Sequence, residues 1–161
     1  MKLDFIQYLN EEIIGLQIGS GNMEETLQIL TQNENKFSHL YIINEYENDD
    51  YGYRQAIVNL DIHKSSTTLM RIEHSKTVGI FPDYFFNILF INSNINGIIE
   101  QWISKMKPDG IILGDYIGEE AKYIEKLCRE YRFVLHVVEE YWFIKLDETE
   151  SFVKMTGMIE F

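Results

Sequence analysis

The chain has 161 residues, 45% hydrophobic and 14% aromatic, which is enough apolar material for one core in a single domain spanning 1–161. Its 26 acidic residues outnumber 14 basic ones and give a net charge of −12. A surface this acidic repels nucleic-acid phosphates and anionic lipid but leaves a basic protein partner open.

Cys128, the one cysteine, cannot make an internal disulfide or a thiolate zinc cluster, and it reads as a packed thiol within a helical pattern. No apolar run approaches the roughly 18 residues of a membrane span. The segment MKLDFIQYLNEE lacks the apolar core and cleavage site of a signal peptide. The expectation is a soluble, cytoplasmic protein with no membrane contact.

In chain order, LDFIQYL reads as a short leading helix and IIGLQI as a strand buried on both faces. A Gly-Ser-Gly turn follows. Asn22 is placed to cap the next helix, with Glu24 and Glu25 in its positive first turn and Met23, Leu27 and Leu30 as its apolar stripe. HLYII is a second strand. The acidic, tyrosine-rich stretch YENDDYGY reads as a loop, solvated or suited to a protein contact, before a helix from about Arg54 to His63.

TTLMRI is a third strand, SKTVGIFPDYF an irregular or helical segment, and NILFIN a fourth strand. Ile95, Ile98, Ile99, Trp102, Ile103 and Met106 recur at helical spacing and predict a helix over about Asn94 to Lys107. KPDG marks a turn. GIILGD is strand five, and GEEAKYIEKLCREY a helix with acids first and bases last. FVLHVVEE and YWFIKLDE follow almost directly joined, so they should be antiparallel neighbours. The tail ETESFVKMTGMIEF has no clear period and reads as a last strand or an arm that packs on a partner, a route to oligomers.

Strands alternating with helices predict an α/β fold. The expectation is a Rossmann-like, seven-stranded, mostly parallel sheet with helices on both faces and one antiparallel strand near an edge, Tyr141 to Leu146.

This order, with IGSGN after strand one and FPDYFFNILFINSNINGIIEQWISKMKPDGIILGDYIG over 81–118, resembles the class I S-adenosylmethionine-dependent methyltransferases across roughly 13–146. It is most similar to the small-molecule and sugar O-methyltransferase branch. The resemblance implies a cofactor site beyond the carboxyl ends of the strands. Gln17, Gly19, Ser20 and Gly21 would meet the cofactor's amino-acid end and Glu45 its ribose. The segment Glu73, His74 and Ser75 would meet the adenine, and Asn92, with Ser93 and Asn94, would face the methyl donor or a metal. Asp115 or His74 would act as catalytic base.

Three positions depart from the family pattern. Gln17 stands for an acid and brings no charge. Met23 stands for a small residue, and its thioether either fills cofactor space or points into the core. Asn92 and Asn94 replace carboxylates, and neutral amides are poor ligands for a hard cation, so no metal site is expected. These losses predict weak or absent binding of S-adenosylmethionine.

His39, His63 and His136 form no catalytic set and read as structural or solvated. Ser20 lacks the G-x-S-x-G frame of a hydrolase. Two functions stay open. One is a methyltransferase acting on a small molecule such as a sugar or other metabolite. The other is a catalytically inactive methyltransferase-like fold that binds a protein. A Rossmann oxidoreductase fits less well, because the glycine turn is shorter than G-x-G-x-x-G.

Overall fold

A computed structural model describes residue 6 and residues 12–19, 23–33 and 35–149. The leading helix apart from Ile6, the cap at Asn22, the turn residues Ser20 and Gly21, and the tail beyond Thr149 lie outside the described residues.

Seven strands form one sheet: β1 (Ile13–Ile18), β2 (Phe37–Ile43), β3 (Thr67–Met70), β4 (Phe86–Ile91), β5 (Met106–Asp115), β6 (His136–Val138) and β7 (Tyr141–Lys145). Their order is β3-β2-β1-β4-β5-β7-β6. The first five are parallel, and β7 runs antiparallel between β5 and β6. The expected antiparallel strand near the edge is therefore present.

The central strands β1 and β4 are mainly apolar because both faces are covered, with Gln17 in β1 and Asn87 in β4 as polar exceptions. One face carries α1 (Glu24–Gln32) and α2 (Asp50–Leu60), packed through Ile29, Leu30, Ala56 and Leu60. The other carries α3 (Ile98–Trp102) and α4 (Gly118–Tyr131), packed through Ile98, Ile99, Trp102, Ile124, Leu127 and Cys128. Strand β7 alternates buried Trp142 and Ile144 with half-buried neighbours, as a pleated strand near an edge should.

Three boundaries differ from the sequence expectation. The helix expected over 94–107 is one short turn, Ile98–Trp102, with a 3₁₀ turn Ile103–Lys105 behind it. Gly97, at φ 75°, stands at the cap position in front of it. Met106 is already extended, pairing with Phe86 at the start of β5. The apolar spacing was real, since Ile95, Ile98, Ile99, Trp102 and Met106 are all buried, but a loop, a short helix and a strand share it.

The KPDG turn lies inside β5 as a bulge. The register passes from Phe86↔Met106 to Ile88↔Ile111, so two steps along β4 match five along β5. The third difference is at α2, which starts at Asp50 within the acidic stretch read as a loop. The Asp49 carboxylate accepts the Gly52 N–H at 2.8 Å and caps it.

Met23 is not a member of the α1 stripe. It occupies the cap position at φ 67°, and its side chain is buried in the core beside Ile29 and Leu30. Of its two expected placements, the core one is found.

Candidate functional site

In the observed strand order, the chain moves outward from β1 to β3 and then returns past β1 to β4. The crevice between the carboxyl ends of β1 and β4 is where open α/β sheets bind ligands. Gly19 leaves β1 there, its N–H donating to the Ile43 carbonyl at 2.8 Å, while the Asn92 N–H donates to Ile18 O at 2.8 Å. Both strand ends are thereby tied to their neighbours, and the crevice has a rigid floor.

Two adjoining clefts open over this floor. The first, about 240 Å³, is lined by Ile18, Gly19, Asn44, Glu45, Ile72 and His74, among others. The second, about 250 Å³, is lined by Asn92, Ile95, Asp115, Ile117, Glu120 and Trp142, among others. Ser93 and Asn94 belong to both and form the ridge between them.

The structure thus separates the expected site residues into groups. Gly19, Glu45 and His74 meet in the first cleft. Asn92 and Asp115 meet in the second. Ser75 lines neither of these clefts, and its hydroxyl donates to Glu73 at 2.6 Å. Gln17 lies beneath, fully buried in β1, its Oε1 accepting the Thr26 hydroxyl at 2.9 Å. Its Nε2 is buried with no hydrogen-bond partner among the described residues.

The second cleft is strongly negative. Burial pushes the Asp115 carboxyl above its ordinary range, and Glu25, Glu120 and Glu140 push it further in the same direction. Asn92 Nδ2 donates to Glu25 Oε2 at 2.9 Å, so the amide at the end of β4 fixes the acid at the start of α1. The Tyr141 phenol also hydrogen-bonds Glu25, and burial is the first cause of its raised pKa.

Sequence reasoning missed Glu25 and Glu120 as site residues. Both sit in the first turn of the helix that follows a central strand. Such acids were read only as complements to a helix dipole, yet a helix that follows a parallel strand starts at the same sheet edge as the ligand crevice. It also missed Trp102, whose Nε1–H donates to His74 Nδ1 at 3.2 Å.

The residues present suit S-adenosylmethionine. A bare backbone at Gly19 permits close approach, the Glu45 carboxylate can accept ribose hydroxyls, and Ile18, Ile43 and Ile72 supply apolar wall. Gln17 lines neither cleft, and its buried Nε2 is the one feature of the expected set that has no partner among the described residues. Among the described residues, no three His, Cys, Asp or Glu side chains are grouped so as to hold a metal ion. Also among them, no helix is long and apolar enough to cross a membrane.

By sequence the chain matches no family model and no curated protein. By structure it is similar to many solved proteins. A SAM-dependent methyltransferase from Aquifex aeolicus superimposes with a TM-score of 0.63 at 14% identity, over 88% of this chain and 86% of that one. A precorrin-6y C5,15-methyltransferase from Geobacter metallireducens gives 0.66 at 12% identity, over 87% and 82%. The SAH-bound methyltransferase PaMTH1 from Podospora anserina gives 0.64 at 12%, over 82% and 70%. The chain has the class I methyltransferase fold, a seven-stranded, Rossmann-like α/β sheet.

Proposed function

We propose that this chain is an S-adenosylmethionine-dependent methyltransferase acting on a small molecule, a sugar or another metabolite. The observation that carries this reading is the pair of clefts sharing Ser93 and Asn94, one with the groups a nucleoside needs and the other with a half-buried carboxylate. Gly19, Glu45 and His74 would hold the cofactor, which supplies an electrophilic methyl group when bound. Ser93 and Asn94, shared by both clefts, would meet the acceptor as it approaches, and positioning of this kind would supply most of the rate in such a transfer.

Asp115 would take the proton from an acceptor hydroxyl. Its raised pKa makes it a stronger base than an exposed carboxylate. The acidic wall made with Glu120 disfavours an anionic acceptor.

The second reading is an interaction module for a basic protein. It draws on the net charge of −12 and on Tyr51, Val58 and Ile62, which are exposed along α2 and the turn after it. A residue-resolved NMR titration with S-adenosylhomocysteine separates the two. The methyltransferase reading expects saturable shifts at Gly19, Glu45 and His74. Absence of those shifts at millimolar ligand would favour the interaction module.

A further inference from the structure

His74 touches two environments. The residue lines the first cleft, while its Nδ1 meets the indole N–H of Trp102 at 3.2 Å. Trp102 is fully buried, and its ring packs against Phe81 and Phe86, which also touch each other, at centroid distances of 5.9 and 6.2 Å. An indole N–H can only donate. Nδ1 must therefore be the acceptor, and in the neutral ring the proton sits on Nε2. The Nδ1 edge is turned to the core, which leaves the Nε2 edge for the cleft.

The backbone of His74 is fixed as well. Its carbonyl accepts the Thr77 N–H at 3.0 Å and the Thr77 hydroxyl at 2.7 Å, and Thr77 is fully buried.

We infer that Trp102 is a positioning residue that holds His74 as a hydrogen-bond donor toward the first cleft, so that His74 reads an acceptor atom of the ligand and is not a proton acceptor. The inference rests on the cofactor reading for the identity of that ligand. The matching chemistry is a ring nitrogen or an ether or hydroxyl oxygen of a nucleoside. An ammonium or an N–H of the ligand would face the wrong partner. The assignment separates two roles that the sequence left together. Asp115, in the neighbouring cleft, remains as the base, and His74 serves recognition.

The test reads the tautomer directly. Long-range ¹H–¹⁵N spectra of the free, ¹⁵N-labelled protein at mildly alkaline pH should show His74 with Nε2 protonated and Nδ1 bare. A proton on Nδ1 would overturn the inference, whatever the protein binds. A second arm uses S-adenosylhomocysteine as probe. His74→Gln places an amide N–H near the Nε2 position and should keep affinity within about threefold, whereas His74→Leu should weaken it roughly tenfold. Equal affinities for the two variants would overturn the inference. Trp102→Phe should also weaken binding severalfold while the fold is kept. Should that variant fail to fold, the wild-type spectrum and the His74 pair still decide. A wild-type protein that shows the expected tautomer but binds no S-adenosylhomocysteine would overturn the cofactor reading and leave the tautomer assignment standing.

Discussion

A Cβ placed on Gly19 would stand 2.5 Å from the carbonyl oxygen of Asn92, closer than real contacts allow. Gly19 also has φ +78°, a conformation that L side chains enter at a cost. The close approach arises because β1 and β4 end side by side at the point where strand order reverses. The glycine is therefore required by the fold before any ligand is considered. Gly19→Ala should cost about 1–3 kcal/mol from backbone conformation alone, with the clash in addition. Chemical denaturation checks this. Loss of ligand binding in a Gly19 variant would consequently report on folding as much as on the site.

Met23 sets backbone strain against burial. Its φ of 67° is unfavourable for a non-glycine residue, and Met23→Gly would relieve roughly 1–2 kcal/mol. The same change removes a buried thioether side chain, a loss of about 2–5 kcal/mol for large-to-small core substitutions. Burial wins, so the variant should be less stable by about 1–3 kcal/mol in urea unfolding. A gain in stability would show that the left-handed backbone outweighs the packing.

Asp115 gives a prediction with a defined sign. Its folded pKa is raised by burial first and by Glu25, Glu120 and Glu140 next. The folded state therefore holds this proton more tightly than the unfolded chain, and the contribution to stability is present at low pH and lost as pH rises through the folded pKa. Asp115→Asn should raise the melting temperature at neutral pH, and the gain should fade below the ordinary carboxylate range. In the methyltransferase reading the same variant should lower kcat about a hundredfold or more. A variant less stable than wild type at neutral pH would mean that the carboxylate has a stabilising partner.

The sheet was legible in the sequence because continuous apolar runs such as IIGLQI and NILFIN have few other uses, and because IGSGN and GIILGD punctuate them. Helix α4 was legible to its ends, with Glu119 and Glu120 first, Arg129 last, and Ile124, Leu127 and Cys128 buried. The segment around Trp102 was not, since its periodicity reports burial and burial alone does not distinguish a long helix from a short one followed by a strand. The pairing of Met106 with Phe86 ends it, and that is a long-range constraint. Helix α2 was misplaced at its start because Asp49 and Asp50 were read as loop residues, although an aspartate is a good cap.

At the site, positions tied to strand ends could be named beforehand: Gly19, Glu45, Asn92 and Asp115. Glu25 and Glu120 could not, since their role depends on which helix starts face the crevice. The partnership of His74 with Trp102 spans 28 residues and leaves no local signature.

In the proposed reading the first cleft takes S-adenosylmethionine, and isothermal titration with S-adenosylhomocysteine measures that binding. Met23 is packed in the core, so in the proposed reading the expected loss that remains is the charge absent at Gln17. That loss is worth about 1.5–3 kcal/mol, or roughly ten- to a hundredfold in affinity. From a micromolar family-like site, one-site binding on the order of 10–100 µM is expected, weakened about tenfold in Glu45→Ala. No saturable heat at millimolar ligand, or binding indifferent to Glu45→Ala, would contradict that reading.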